Sequence, residues 1–251
     1  MPLLSIITPV HPPAATYLQA AYASLADQAM PDGWSWEWII QQDGDDYDLS
    51  AVVPDDSRIR FAAGRRGGPG VARTLALSRA TGELVKVLDA DDELTAGALA
   101  RDIDALTRNP EIGWTTSRVL DLLPSGETVG FDDDPPAGRI ARGAVLDHWL
   151  SHDWRAQVHP ATLCIRYELL LALGGWMALP ASEDTGLLLA ADAVRPGYFI
   201  SETGLLYRKH PGQSTAHQAH SAEAERPARM RVIHERARAL QQSFRARSSA
   251  A

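Results

Sequence analysis

Short apolar runs alternate with helical patterns over the first half of the chain. The runs at 3–8, 36–40, 59–62 and 84–88 have the length and composition of buried strands. Between and after them, apolar residues recur at helical spacing, which predicts helices carrying Leu18, Tyr22 and Leu25; Leu75, within 71–80; and Leu99, Ile103 and Leu106. Strands that alternate with helices in this way predict an α/β fold with a mostly parallel central sheet.

The second half is less regular but continues the same alternation. Residues 113–122 alternate enough to predict a strand with one exposed face, and 161–165 form a second apolar run. Helices are predicted at 169–173, ending at a Gly-Gly pair, and at 185–193. We find no internal repeat and no long linker, so both halves are expected to share one sheet.

An arginine-rich segment from about 223 to 247 closes the chain. Its apolar residues recur at helical spacing: Met230, Ile233, Ala237, Leu240 and Phe244. The pattern predicts a helix that packs on the domain or on the partner of a homodimer. A weaker, peripheral attachment to an anionic lipid surface is the alternative.

Composition narrows the range of functions. The chain has 251 residues, of which 45% are hydrophobic, and this fits one large α/β domain. A formal net charge of −8 argues against a nucleic-acid groove, since phosphate backbones are bound by positive surfaces. The single cysteine, Cys164, excludes an internal disulfide framework. The polar start and the lack of an apolar run near 20 residues predict a cytoplasmic protein without a transmembrane segment.

Acidic residues follow two of the predicted strands. Asp89 and Asp91 come directly after the run 84–88, and Asp43 follows the run 36–40 after two glutamines. Ligands of open α/β sheets bind beyond the carboxyl ends of the strands, and carboxylates there can hold Mg²⁺ or Mn²⁺ against a phosphate. Ordinary solvated acidic turns are the alternative for both positions.

A glycine-rich loop, 64–70, leads into the helix that contains Arg73. Backbone N–H groups at such a loop can bind an anion, and Arg73 could add a positive charge. The loop lacks the Lys-Ser of a P-loop and the glycine spacing of a dinucleotide site. A mobile surface loop is the alternative.

The order of these motifs resembles that of the family-2 glycosyltransferases of GT-A fold. The resemblance covers about residues 3–215 and rests on Pro9-Val10-His11, Asp43-Gly44, Gly70-Val71-Ala72-Arg73, Leu88-Asp89-Ala90-Asp91-Asp92, Gly174-Gly175-Trp176, Ser182-Glu183-Asp184 and Tyr207-Arg208-Lys209-His210. It implies a single Rossmann-like GT-A domain over 1–220, with a nucleotide-binding half at 1–110 and an acceptor half at 111–220. The basic helical tail then occupies 221–251.

The resemblance also implies roles for individual residues. Asp43 would hold the nucleobase, usually uracil, with Arg73 beside it. The nucleotide and donor pocket would be completed by Pro9, Val10, His11, Gly70, Asp89 and Ala90. Asp91, with Asp89 and His210, would bind Mn²⁺ or Mg²⁺ at the diphosphate. Asp184 would be the general base, and Glu183 beside it would orient the donor sugar or the acceptor.

Some positions depart from the family pattern. Gln42 stands where a second acid is common, and Pro12 and Thr74 stand where asparagine is common. The base pocket is therefore less well defined by the sequence than the metal site. His159, which precedes a proline, receives no role from the sequence.

Together these features predict a metal-dependent inverting glycosyltransferase of the hexosyltransferase type. Its donor would be a nucleoside diphosphate sugar, most simply a UDP-sugar, and its acceptor an unidentified hydroxyl compound. A sugar-nucleotide-binding protein without catalysis is one alternative. A sugar-1-phosphate nucleotidyltransferase is another, although such enzymes have a basic glycine-rich loop after the first strand where this chain has Pro9-Val10-His11-Pro12-Pro13.

Overall fold

A ten-stranded mixed sheet runs through the molecule. The computed structural model describes residues 1–213 and 224–248, with side chains up to residue 244. The strands are β1 Leu3–Val10, β2 Ser35–Asp43, β3 Ile59–Gly64, β4 Leu84–Val87, β5 Glu93–Leu94, β6 Trp114–Leu122, β7 Thr128–Val129, β8 Gly138–Ile140, β9 Cys164–Arg166 and β10 Gly197–Arg208. The helices are α1 Pro12–Ala15, α2 Leu18–Ala26, α3 Pro69–Ala76, α4 Ala98–Arg108, α5 Ala144–Ser151, α6 Tyr167–Ala172, α7 Glu183–Val194 and α8 Arg226–Ser248.

The first half of the sheet is parallel, in the order β3-β2-β1-β4. Ile7 of β1 lies opposite Ile39 of β2 and Val87 of β4, so the three strands are in close register. Their carboxyl ends therefore meet at one edge of the sheet, where Val10, Asp43 and the residues after Val87 emerge. The α/β architecture with a parallel sheet in the first half is as the sequence predicts.

The second half continues the same sheet through an antiparallel strand. β9 lies between β4 and β6 and runs antiparallel to both, while β10 runs parallel to β6. Because β9 opposes β4, the turn that precedes β9 lies beside the residues that follow β4. The carboxyl end of β10 reaches the same edge and delivers Tyr207 and His210 to it.

Buried apolar side chains fill both faces of the sheet. One cluster contains Ile6, Leu18 and Trp38, and the other contains Ile7, Trp114 and much of α7. Burial of this much apolar surface is the main stabilising contribution to the fold. The apolar side of α8, with Met230, Ile233 and Ala237 buried, packs on the domain next to α7. Of the alternatives for the tail, packing on the domain is the one observed.

Several local predictions are wrong. The strand predicted at 161–165 begins as a 3₁₀ turn, Pro160–Thr162, because proline lacks the N–H that a ladder needs, and β9 starts only at Cys164. The exposed face predicted for 113–122 is absent over Trp114–Ser117 of β6, where all four residues are buried. Leu75 is 44% exposed, and α3 ends at Ala76 in a second 3₁₀ turn, Leu77–Arg79.

β10 and α5 are the longest elements that have no counterpart among the predictions. β10 is interrupted by the polar stretch Ser201–Gly204 and by shifts in its pairing with β6, which hide its strand pattern. α5 lies in a region, 131–153, for which the sequence offers no motif. The predicted boundary at 220 falls among residues that the structure does not describe. Within the described residues, no helix is both long and apolar enough to cross a membrane.

Candidate functional site

A cavity of about 610 Å³ opens at the shared edge of β1, β2 and β4. Most of the predicted site residues line it, although they come from distant parts of the sequence: Pro9, Val10, His11, Asp43, Arg73, Asp89, Asp91, Glu183 and Asp184. This is the position at which open α/β sheets bind ligands. Three predicted residues do not line the cavity, namely Gly70, Ala90 and His210.

Asp43 connects the end of β2 to the glycine-rich loop. Its Oδ1 atom accepts hydrogen bonds from the backbone N–H groups of Gly67 at 2.7 Å and Gly68 at 3.0 Å. Gly68 has a φ of +84°, which glycine adopts without strain. Behind it, the buried Gln42 donates to Gly44 O at 2.7 Å and accepts from Leu49 N at 3.0 Å. Gln42, a departure from the family pattern, thus holds the loop that follows Asp43.

Arg73 lines the cavity and links two of its acidic residues. Its buried guanidinium donates through Nη1 to Glu183 Oε1 at 2.8 Å and through Nη2 to Asp89 Oδ1 at 2.5 Å. Burial opposes the positive charge, but the two carboxylates outweigh burial and raise the pKa of Arg73. These two ionic contacts fix the position of the guanidinium, and its placement beside a nucleobase stays a prediction.

Gly70 and Ala90 are structural residues in this fold. A Cβ atom at Gly70 would come within 2.7 Å of Glu183 Cγ and 2.8 Å of Met177 O, so the glycine permits α3 to approach Glu183. Ala90 is 1% exposed and belongs to an apolar cluster. Neither residue lines the cavity, and their contact with the donor stays a prediction.

Glu183 and Asp184 form the first turn of α7 and differ in their surroundings. Ser182, just before the helix, has a left-handed φ of +64°, which turns the chain sharply at the cavity. Glu183 is 4% exposed, and burial together with the charge of Asp184 raises its pKa to about 7, although Arg73 acts in the opposite direction. Asp184 is partly exposed, and its Oδ1 atom accepts the Thr185 N–H at 2.6 Å.

Asp91 and His210 are brought together from opposite ends of the sequence. His210 Nε2 lies 2.7 Å from Asp91 Oδ2, and both side chains are largely buried. Burial and the charge of Asp89 raise the pKa of Asp91, while the hydrogen bond with His210 acts in the opposite direction. One carboxylate oxygen and one imidazole nitrogen suit Mn²⁺ or Mg²⁺ when a diphosphate supplies further oxygens.

The predicted three-residue metal set is only partly assembled. Asp89 is turned toward Arg73, and among residues 1–213 and 224–248 no group of three His, Cys, Asp or Glu side chains converges on a single point. The donor set present thus fits a metal that is held by Asp91 and His210 and completed by substrate oxygens. Asp89 lies beside this pair.

Asp92, to which the sequence assigns no definite function, anchors β10. The buried Asp92 accepts the Arg208 N–H through Oδ1 at 2.9 Å, and Arg208 Nε donates to Asp91 O at 2.9 Å. Arg208 also pairs with Glu93 and lies over the ring of Tyr17. These contacts fix the end of β10 against the acidic turn, so that His210 reaches Asp91.

The cavity includes residues that sequence reasoning missed. Tyr47, His159, Pro180 and Tyr207 all line it. Tyr207 belongs to the Tyr-Arg-Lys-His motif and could have been found there. His159 carries a weaker signal, since it stands in a His-Pro pair just before a buried strand. Only the antiparallel placement of β9 shows that this pair faces the site.

Comparisons with known proteins relate the first half of the chain to a family of glycosyl transferases. The sequence model of glycosyl transferase family 2 matches residues 5–128. A GalNAc(5)-diNAcBac-PP-undecaprenol beta-1,3-glucosyltransferase of Campylobacter jejuni is 35% identical over 106 residues, which are 40% of this chain and 33% of that protein. An O-antigen biosynthesis protein, RfbC, of Myxococcus xanthus is 31% identical over 117 residues, which are 44% of this chain and 9% of that protein. The chain thus spans a third or less of the length of these two relatives.

Solved structures share the fold over most of the chain. TarS of S. aureus, residues 1–349 in complex with UDP-GlcNAc, superposes with a TM-score of 0.66 at 20% identity. The match covers 86% of this chain and 61% of that one. The likeness confirms a single GT-A-like α/β domain.

Proposed function

The chain belongs to glycosyl transferase family 2, and from this premise we propose that it transfers a sugar from a nucleoside diphosphate sugar, most simply a UDP-sugar, to an acceptor hydroxyl with inversion. The observation that carries the proposal is the meeting of three groups in one cavity. Asp43 lies at one part of the cavity wall, the acids after β4 lie at another, and Asp184 faces the same space. Sugar transfer needs a place for the nucleoside, a place for the leaving diphosphate and a base near the acceptor, and the three parts of this cavity can provide them.

The leaving diphosphate is proposed to lie against Asp89, Asp91 and His210. A Mn²⁺ or Mg²⁺ ion held by Asp91 and His210 would supply positive charge that stabilises the departing diphosphate. Arg73 binds both Asp89 and Glu183, so it keeps the turn after β4 at a fixed distance from the start of α7. The nucleoside would then extend toward Asp43 and the residues from Pro9 to His11.

Asp184 is proposed as the general base. The acceptor oxygen forms a bond to the anomeric carbon while the bond from that carbon to the diphosphate oxygen breaks, and the leaving oxygen keeps the electron pair. The acceptor proton passes to Asp184, whose Oδ1 is oriented by the Thr185 N–H and whose Oδ2 would accept the proton. A single displacement from the opposite face inverts the anomeric centre.

Glu183 is proposed as a positioning residue. Its Oε1 atom receives the Arg73 Nη1–H, and its side chain packs against Gly70. The ion pair with Arg73 holds this carboxylate in one direction. It therefore fixes the start of α7 and the direction of Asp184.

A nucleotide screen tests the proposal. Thermal shift of the purified chain would be measured with UDP, dTDP, GDP and a panel of UDP-sugars, with Mn²⁺ and with EDTA, because a ligand that binds only the folded state raises the melting temperature. We expect UDP and at least one UDP-sugar to stabilise the protein with Mn²⁺ and to do so less with EDTA. Stabilisation by none of the nucleotides would overturn the proposal.

The product identifies the reaction. Incubation with the stabilising UDP-sugar should release UDP slowly by hydrolysis even without an acceptor, and this release should be lost in Asp91→Ala. Binding without any release, with or without candidate acceptors, would favour the sugar-nucleotide-binding alternative. Pyrophosphate release would favour a nucleotidyltransferase. Four further points stay predictions: the acceptor, the cytoplasmic location, a homodimer and contact with a lipid surface.

A further inference from the structure

His159 occupies a fixed place in the cavity wall. β9 runs antiparallel to β4, with Lys86 opposite Cys164, and the Val87 N–H donates to Leu163 O at 3.0 Å. The Pro160–Thr162 turn therefore lies beside the residues that follow β4. His159 begins this turn and lines the cavity.

A buried network makes the turn rigid. Thr162 Oγ1 donates to His159 O at 2.7 Å, and Lys86 Nζ donates to Thr162 O at 2.7 Å. Lys86 also pairs with Asp102 at 2.7 Å, and both side chains are buried. Because a buried ionic network has few alternative arrangements, the backbone that carries His159 is held closely.

The local contacts determine which ring nitrogen of His159 bears the proton. The Ala161 N–H donates to Nδ1 at 3.3 Å, so the neutral ring carries its proton on Nε2. The Tyr207 ring lies with its centroid 4.9 Å from that of His159 and restricts its rotation. Burial lowers the pKa of His159, while the charges of Asp184 and Asp89 act in the opposite direction. The ring thus presents one fixed N–H donor.

We propose that the His159 Nε2–H donates a hydrogen bond to a hydroxyl of the transferred sugar. This inference rests on the proposed function. In an in-line displacement the sugar lies between the leaving diphosphate and the base, and the charges of both Asp89 and Asp184 act on the His159 ring. His159 therefore contributes to donor recognition at the sugar, whereas Asp43 and the residues near Pro9 face the nucleoside.

Two substitutions separate this role from a role in building the turn. In His159→Asn, the amide oxygen can still accept the Ala161 N–H, as asparagine does in Asx turns, but no donor reaches the position of Nε2. In His159→Gln, the longer side chain places an amide N–H near that position but loses the short contact to Ala161. If His159 only builds the turn, His159→Gln should lose more affinity for the UDP-sugar. If His159 binds the sugar, His159→Asn should lose more.

Calorimetric titration with Mn²⁺ is the test, with UDP and with whichever of UDP-glucose, UDP-galactose, UDP-GlcNAc and UDP-GalNAc the wild type binds most tightly. For His159→Asn we expect affinity for the UDP-sugar to fall about fivefold to tenfold, the effect of losing one hydrogen bond, and affinity for UDP to stay within about twofold. His159→Gln should recover part of the UDP-sugar affinity.

The two hypotheses fail in different ways. If neither the nucleotides nor the UDP-sugars of the thermal-shift screen bind the wild type, the proposed function fails before any variant is compared. If the wild type binds a UDP-sugar and His159→Asn binds it equally well, only the role of His159 fails. Equal losses of UDP and UDP-sugar affinity in His159→Asn would also overturn that role, since the damage would then be structural.

Discussion

Arg73 and Glu183, 110 positions apart in the chain, form a buried ion pair at 2.8 Å, and the same guanidinium holds Asp89 at 2.5 Å. Replacing Arg73 by methionine keeps much of the side-chain length but leaves two acids without their cation. Removing one partner of a buried ion pair costs about 3–5 kcal/mol, so Arg73→Met should lower the free energy of unfolding by about that amount in urea titrations.

Arg66→Met is the matched control for this prediction. Arg66 pairs with Asp46 at 2.9 Å, but both side chains are more than 60% exposed. Surface ion pairs contribute about 1 kcal/mol or less, so this variant should remain close to the wild type. Similar losses in both variants would show that Arg73 is not the central cation of the site.

The raised pKa of Glu183 predicts a pH-dependent stability. Its ordinary value is 4.5 and its value in the fold is about 7, so the folded state binds the proton more tightly than the unfolded chain. This contribution to stability is complete below about pH 4.5 and is lost as pH rises toward about 7. Glu183→Gln removes the titrating group and with it the pH-dependent part of the free energy of unfolding, which amounts to about 3 kcal/mol.

Urea titrations of wild type and Glu183→Gln at pH 5 and pH 8 would measure this effect. We expect the stability of the variant, relative to the wild type, to increase between pH 5 and pH 8. An unchanged difference at the two pH values would contradict the raised pKa. Asp104→Asn, a substitution of a half-exposed acid on α4, serves as the comparison.

Asp184→Asn should abolish transfer without weakening the donor complex. The amide cannot accept the proton of the acceptor, and loss of a general base typically costs 10²–10⁴-fold in rate. The variant can still accept the Thr185 N–H through its amide oxygen, so the start of α7 is preserved. UDP release in the presence of acceptor measures the rate, and calorimetry measures donor affinity. An equal loss of rate and donor affinity would contradict the assignment of Asp184 as the general base.

Asp91 and His210 predict a metal-dependent affinity for UDP. Asp91→Ala and His210→Ala should each weaken binding of UDP with Mn²⁺, and the residual affinity should no longer respond to EDTA. His152→Ala, which replaces an exposed histidine directly after α5, should behave as the wild type. If EDTA changes neither UDP affinity nor transfer in the wild type, the metal hypothesis is wrong.

The packing of α8 predicts different effects for two neighbouring residues. Ile233 is 1% exposed, whereas Val232 is 43% exposed. Ile233→Ala should lower the free energy of unfolding by about 2–5 kcal/mol, because it removes buried methyl groups and leaves a cavity. Val232→Ala should change it by about 0.5 kcal/mol or less. Similar effects at the two positions would mean that α8 is not packed on the domain in solution.

The parallel half of the sheet was predictable because its signals are local. Buried parallel strands consist of continuous apolar runs, and the acids at their ends stand out in the sequence. Asp43, Asp89 and Asp91 were located for that reason, and their common edge follows from parallel pairing. β10 was missed because its polar interruption and irregular pairing break the strand pattern.

By itself, the sequence determined which chemical groups this protein carries and the order in which parallel strands present them. Only the tertiary structure decided which groups meet. Arg73 binds two acids, Asp92 anchors a distant strand, and His159 enters the cavity. These outcomes depend on burial and on contacts between residues as far as 116 positions apart, which no local pattern of hydrophobic and polar residues records.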